Sequence, residues 1–362
     1  MKVAQRNWVM AVVLGSSILF APASRGDDWK TEHDAGWKAY KEGRLDAAEQ
    51  HLVKAEKLAR ATGANDPRPA TTLDHLAWVL CSEGKTEKAE PLAKSALAIR
   101  EKALGADHPD VVSSLNTLAC IYDTEDRTAD ARPVYARCMA AAEKAYGPRH
   151  AKVAAALDNL AAAEHLLGNL AEAETLYKRA LAIREKLDNG KPIDLAPTLH
   201  NLGALYLDQG KYAAAEPILK RALAIEEKAL GAEHPDVAST IEELGWMSHG
   251  QHKEAVAEQL LKKALALYEE DLGKDHPHVA RCFSKLGRVC LSEDHKQEAE
   301  ECCERAVGIF ERTGGDVIDR AAALDDYAAV LHGEGKHDKA MELETRARAL
   351  RESPRRSAVP RH

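Results

Sequence analysis

Aromatic side chains are scarce in this chain: three Phe, nine Tyr and five Trp supply only 5% of its 362 residues. Sheet cores draw on aromatic and β-branched residues. Ala and Leu dominate instead, and both lose little rotamer freedom in a helix, so the composition points to helix. Blocks of like charge are also missing. Lys and Arg total 50 against 58 Asp and Glu, a net charge of −8 spread along the chain. A phosphate-binding surface needs clustered cations, so nucleic acid is not an expected partner. No Cys-x-x-Cys pair occurs, and no G-x-S-x-G, H-E-x-x-H, Walker or Rossmann pattern. The expectation is therefore a non-enzyme without metal or cofactor.

The N-terminus reads as an export signal. Lys2 and Arg6 form a positive start, Trp8 to Phe20 an apolar stretch of 13 residues, and Ala21 to Ala23 a small-residue cleavage site after Ala23. A membrane span needs about 20 apolar residues, so cleavage is expected rather than anchorage. Residues 1–23 are accordingly read as a signal peptide, and the mature chain as exported to the periplasm, cell envelope or medium with no membrane span.

What the mature chain has in abundance is self-similarity. "GKYAAAEPILKRALAIEEKALG" from Gly210 has relatives beginning at Gly84, Gly168 and Gly335, with weaker ones at Gly43 and around Asp126, Gln251 and Asp294. One alanine recurs at Ala48, Ala89, Ala131, Ala173, Ala215, Ala257, Ala299 and Ala340, at spacings of 41 or 42 residues. The copies run approximately over 29–69, 70–110, 111–152, 153–194, 195–236, 237–278, 279–319 and 320–351 within a repeat region of 24–351. Leu199, Leu202, Gly203 and Tyr206 make one helical apolar face, Gly210 closes that helix, and Ala215, Leu219, Ala222 and Leu223 line a second. One such helix pair cannot bury its stripe alone, so eight pairs must stack. The basic tail 352–362, broken by proline, has nothing to pack and is expected to be disordered.

These residues resemble the tetratricopeptide repeat. The period near 42 and the segments "NLGALY" and "GKYAAAEPILKRALAI" look most like the longer subclass found in kinesin light chains. The resemblance implies an all-α, right-handed α-solenoid of about eight stacked repeats. It also implies a protein-interaction scaffold whose concave groove, lined by the first helix of each pair, holds a peptide or partner protein.

"LGADHPDVV", "LGAEHPDVA" and "LGKDHPHVA" recur at 104–112, 230–238 and 272–280. Histidines returning once per helix pair stand at least a helix-packing distance of about 8–10 Å apart. Zinc needs its nitrogens within about 2.1 Å. The repeated histidine is therefore read as a joint, with Pro109, Pro235 and Pro277 just inside a helix and the residue before each available to accept from free N–H groups.

By register, Asn116, Asn159 and Asn201 should line the groove, with Asp158 and His200 beside them. The light-chain subclass uses asparagines at the places of Asn159 and Asn201 to bond an extended peptide backbone, and an amide offers both donor and acceptor. His200 stands where a chaperone-tail binder would place a lysine. Trp78 and Trp246 are candidate exposed anchors. Arg281, Lys285 and Arg288 form a basic cluster flanked by Glu242, Glu243, Asp325 and Asp326. It is either a pocket for an acidic peptide or a set of rows neutralising each other. Seven cysteines leave at least one thiol free. By register Cys290 and Cys303 fall on the facing sides of the two helices of the seventh copy, and Cys81 and Cys120 on the inner surfaces of adjacent first helices. Each pair is a candidate disulfide, with small-residue packing the alternative because register does not fix the Cα separation. Two further functional readings remain: assembly into an envelope complex through convex or edge surfaces and, more remotely, thiol-dependent chemistry.

Overall fold

A computed structural model describes residues 28–60, 66, 68–187, 192–315 and 317–352. The expected signal peptide lies outside these residues, as does the expected tail from residue 353. Among the described residues there are sixteen α-helices, one short 3-10 turn and no strand. The α-solenoid class expected from the repeat is the class observed, built as eight helix pairs.

The helices fall into two compact units. The first contains α1 (Asp28–Lys41), α2 (Leu45–Arg60), α3 (Arg68–Ser82), α4 (Thr86–Leu104), α5 (Pro109–Thr124), α6 (Thr128–Tyr146), α7 (Ala151–Leu166) and α8 (Leu170–Lys186). The second begins with the 3-10 turn Pro192–Leu195 and continues through α9 (Ala196–Asp208), α10 (Tyr212–Leu230), α11 (Pro235–Gly250), α12 (Glu254–Leu272), α13 (Pro277–Ser292), α14 (Lys296–Thr313), α15 (Val317–Gly333) and α16 (His337–Glu352).

Each pair turns on one residue with left-handed backbone. These are Gly43, Gly84, Asp126, Gly168, Gly210, His252, Asp294 and Gly335. Glycine holds that conformation without penalty, whereas a side chain costs roughly 1–2 kcal/mol there. The sixth repeat therefore turns at His252 (φ 58°), one residue beyond the Gln251 expected from sequence.

The joint between pairs is a helix cap. The backbone N–H groups of Asp110, Asp236 and His278 each donate to Nδ1 of His108, His234 and His276 at 3.2 Å. His150 caps α7 in the same way, accepting from the Lys152 N–H at 3.1 Å without a proline beside it. An accepting Nδ1 leaves the ring proton on Nε2, so the cap requires neutral imidazole. Burial, aided by Arg281, lowers the pKa of His276 and favours that form.

Small residues set how closely the helices of a pair approach. A Cβ at Gly203 would lie 2.4 Å from Leu219, one at Gly245 3.0 Å from Leu261, and one at Gly287 2.4 Å from the Cys303 sulfur. Tyr135, Tyr177 and Tyr268 are among the largest fully buried side chains. On and beside the outer faces of the second helices, ion pairs link several neighbouring repeats within each unit. Arg305 donates to Glu269 at 2.8 Å, Lys85 to Glu49 at 2.7 Å, and Arg137 to Glu101 and Arg179 to Glu143 pair likewise. Exposed pairs of this kind contribute at most about 1 kcal/mol each.

Candidate functional site

The first helices of neighbouring pairs pack side by side, and their facing sides carry nearly all the buried polar chemistry. In the first unit this face begins with stacked rings. Trp29 lies over His33 with ring centres 5.1 Å apart, His33 over His75 at 4.9 Å, Trp37 over His75 at 4.0 Å and Trp37 over Tyr40 at 5.0 Å. His33 Nε2 and His75 Nδ1 are 2.9 Å apart and share one hydrogen bond. Burial lowers the pKa of both, that of His75 to about 3 with His33 contributing, so this pair is neutral. Trp78 donates its indole N–H to the Tyr40 hydroxyl and is 6% exposed. The exposed anchor expected at Trp78 is thus corrected, because α1 covers it. Trp37, Tyr40 and His75 keep the half-buried surface there instead.

The next layer is ionic. Asp74 pairs with Arg100, which also donates to Ser114 at 2.8 Å and Thr71 at 3.2 Å, while the Ser114 hydroxyl donates to Asp74 at 2.7 Å. Burial nonetheless raises the Asp74 carboxyl to about 6, against the pull of Arg100. Two repeats on, Arg184 donates to Asp158 at 2.7 Å in the same register. Asp158 is therefore held by the second helix of its own pair. Between these layers, Asn159 Nδ2 donates to Asn116 Oδ1 at 2.6 Å and Asn116 Nδ2 to the Cys120 sulfur at 3.7 Å.

The second unit inverts that charge arrangement. Where Asp74 and Asp158 stand, α9 has His200; where Arg100 and Arg184 stand, α10 has Glu226. His200 is wholly buried and its Nε2 lies 3.1 Å from Glu243 Oε1. The Thr240 hydroxyl donates to Glu226 at 2.7 Å. Burial opposes the imidazolium, but Glu243 and Glu226 outweigh it and raise the His200 pKa. Glu226 is pushed up to about 7 by burial, with Thr240 and His200 acting against the shift.

One repeat later Glu242, 1% exposed, accepts from Arg281 at 2.9 and 2.8 Å, from Lys285 at 2.6 Å and from Tyr268 at 3.0 Å. Burial disfavours its charge, yet Arg281 and Lys285 prevail and hold the carboxyl well below its usual range. Asp326 accepts from Ser284 at 2.5 Å and from Arg288 at 2.9 Å. The basic cluster is thus compensated by its neighbouring rows. Half-buried Trp246 lies against the His249 ring at 4.9 Å and beneath Lys285 at 5.9 Å.

Asn116, Asn159 and Asn201, expected to be open to a ligand, are 5%, 5% and 2% exposed. Packing of α5 against its neighbouring first helices, and of α9 against α11, covers them. Asn159 has already committed its amide donor to Asn116. Asn201 Oδ1, by contrast, is buried without a hydrogen-bond partner. The seven cysteines are all thiols. The Cys81 thiol donates to Thr124 at 3.4 Å and the Cys120 sulfur accepts from Tyr135 at 3.4 Å, and no Cys81–Cys120 bond is present. Cys303 packs on Gly287, and no Cys290–Cys303 bond is present.

The ionic partners Arg100, Arg184 and Glu226, and the neutral hydrogen-bond donor Tyr268, were not foreseen. A signal for them exists: they form one column at 42-residue spacing, where Ala142 and Phe310 are apolar. Charged residues in an otherwise apolar column mark buried partners.

A profile of the tetratricopeptide repeat matches residues 39–102, 79–144, 124–186, 194–270, 251–301 and 297–353. The chain belongs to the tetratricopeptide repeat family. Among solved structures it is similar to the nearly identical kinesin light chain repeats of Podosopora anserina, at 24% identity over 57% of this chain and 97% of that one, TM-score 0.51. It is also similar to the quorum sensor NprR of B. thuringiensis in its apo form, at 13% identity over 91% of this chain and 89% of that one, TM-score 0.69. A Rap protein complexed with competence and sporulation factor matches at 13% identity over 91% of this chain and 98% of that one, TM-score 0.58. No curated protein sequence matches. Among the described residues, no helix of this tetratricopeptide chain is long and apolar enough to cross a membrane.

Proposed function

We propose that this tetratricopeptide chain is an exported, non-enzymatic interaction scaffold that captures an extended peptide or partner segment along its first-helix faces. The observation that carries the reading is the Asn201 carbonyl, 2% exposed and without a hydrogen-bond partner. Leaving a buried acceptor unpaired costs about 1–3 kcal/mol, which a backbone N–H from a bound strand would recover once the packing over Asn201 opens to admit it. Trp246, half-buried on the next first helix of the same unit, supplies a large apolar surface of the kind that dominates binding energy. Arg281, Lys285 and Arg288 supply cations beside it whose charge is balanced internally, so they orient a partner more than they attract one. The solved Rap protein complex, of the same repeat fold, supports the reading by analogy.

The test is capture from the native envelope fraction with the wild-type chain and with the double variant Asn201→Ala, Trp246→Ala as baits. Loss of at least one order of magnitude in recovery of the same partner is expected, about 1.4 kcal/mol or more. Equal recovery by a variant of unchanged helical content would contradict this use of the face.

A further inference from the structure

We propose that Glu226, Thr240, His200 and Glu243 form a proton-operated latch in the second unit, holding α9, α10 and α11 together when the path carries two protons and loosening them when it carries one. The four side chains make one continuous path. His200 Nε2, on α9, lies 3.1 Å from Glu243 Oε1 on α11, and its Nδ1 lies 3.4 Å from the Thr240 hydroxyl, also on α11. That hydroxyl donates to Glu226 on α10 at 2.7 Å. Glu226, Thr240 and His200 are wholly buried, and Glu243 is 5% exposed.

The path holds two carboxyl groups and a single imidazole, so its charge follows its proton count. With two protons it is neutral: an imidazolium at His200, a carboxylate at Glu243 and an uncharged acid at Glu226. Removing one leaves a net negative charge out of reach of water. Among the described residues, Glu226 Oε1 and Glu243 Oε2 are buried with no hydrogen-bond partner, so no donor waits to receive that charge. A buried charge without a partner is strongly destabilising. The first unit needs no such proton at this register. There Asp74 meets Arg100 and Asp158 meets Arg184, one acid to one permanent cation.

The surroundings favour the second proton. On α11 half-buried Asp236 adds another acid, with the capping His234 3.5 Å from it. The 3-10 turn packed on α9 and α10 carries half-buried Asp194. On α13, Arg281 and Lys285 are spent on Glu242, to which Tyr268 of α12 also donates. Burial accordingly pushes Glu226 up to about 7 against Thr240 and His200, with Asp236 and Glu243 adding to the rise. Burial works against a charged His200, but Glu243 and Glu226 prevail over it and over Arg281. Because the folded pKa of Glu226 is raised, its contribution to closure is full below the ordinary 4.5 and is lost as pH rises through about 7. Loosening α9 from α11 removes the packing that covers Asn201. The latch's use in capture therefore rests on the reading above, whereas the latch itself does not.

The experiment follows backbone hydrogen exchange of the full chain by mass spectrometry across this pH range, each rate divided by the intrinsic rate at that pH. Protection of α9 and α11 should fall about tenfold or more between about pH 6 and 8, the linkage expected of one proton held at about 7 when closed and at the ordinary 4.5 when open. Protection of α14, which lies outside the path, should stay within about twofold. Glu226→Gln keeps the shape without a titrating group and should cut the fall in α9 and α11 to about threefold or less. Glu243→Gln balances the path at one proton and should flatten the fall likewise. A flat wild-type profile, a fall shared equally by α14, or a wild-type fall in both variants would overturn the latch. The wild-type profile decides even where a variant does not fold. No partner enters this readout, so a failed latch leaves the capture reading standing, and failed capture leaves the latch.

Discussion

His75 in the first unit and His200 in the second sit in adjacent columns of the same 42-residue register, yet their surroundings differ in sign. His75 is packed between Trp37 and His33, with no carboxylate in its hydrogen-bonded contacts. His200 is walled by Glu243, Glu226 and Thr240. The same backbone scaffold thus lowers the pKa of one histidine and raises that of the other. A repeat fold fixes where a side chain stands, and the neighbouring columns decide its charge. The ionic pairs show the same logic, with carboxylate on the first helix and arginine on the second at Asp74–Arg100 and Asp158–Arg184, reversed at His200–Glu226.

The largest effect should come from breaking the densest ionic knot of the second unit. Glu242→Ala strands Arg281 and Lys285 in a buried site and should cost about 3–5 kcal/mol in urea unfolding. If the loss is below 1 kcal/mol, the knot is no more than a surface network.

The contrast between the histidines can be read as two opposite pH slopes. The folded pKa of His200 is raised, so the folded state holds its proton more tightly. Its contribution to stability is full below about 6.5 and is lost as pH rises through the raised value. His75 is lowered to about 3, so its contribution is present above about 6.5 and is lost as pH falls toward 3. Unfolding free energies of wild type minus His200→Gln should therefore decline from pH 6 to 8, and those of wild type minus His75→Phe should decline from pH 6 to 4. Parallel slopes would erase the comparison.

Smaller effects sharpen the account of turns and outer faces. His252→Gly removes a side chain from left-handed backbone and should stabilise by about 0.5–1 kcal/mol, measured as a rise in urea midpoint. Arg305→Ala deletes one exposed rung to Glu269 and should change stability by less than about 1 kcal/mol, less still in high salt.

Most of the fold was legible because the period is carried by residues with strict backbone or steric roles. Gly84, Gly168 and Gly210 mark left-handed turns, His234 with Pro235 starts a helix, and Gly203 lets Leu219 approach. The turn at His252 was misplaced by one residue because histidine does not announce left-handed backbone as glycine does. The candidate site was legible only as columns. Register placed Asn159, Asn201 and Trp78 on first helices correctly, but whether such a position is open depends on how closely the neighbouring first helix lies, which the repeat period does not encode. Trp78 is sealed by Tyr40 from one repeat earlier, and Asn159 by Asn116 in the same way.

The central claim is that partner capture uses the first-helix face. It is tested most directly by a photo-crosslinking residue placed at Trp246 on α11, or at Lys262 on the outward side of α12, where the native lysine is 53% exposed. The account predicts a crosslinked partner from position 246 and none from 262. Crosslinking from 262 alone would contradict it and assign binding to the outer surface.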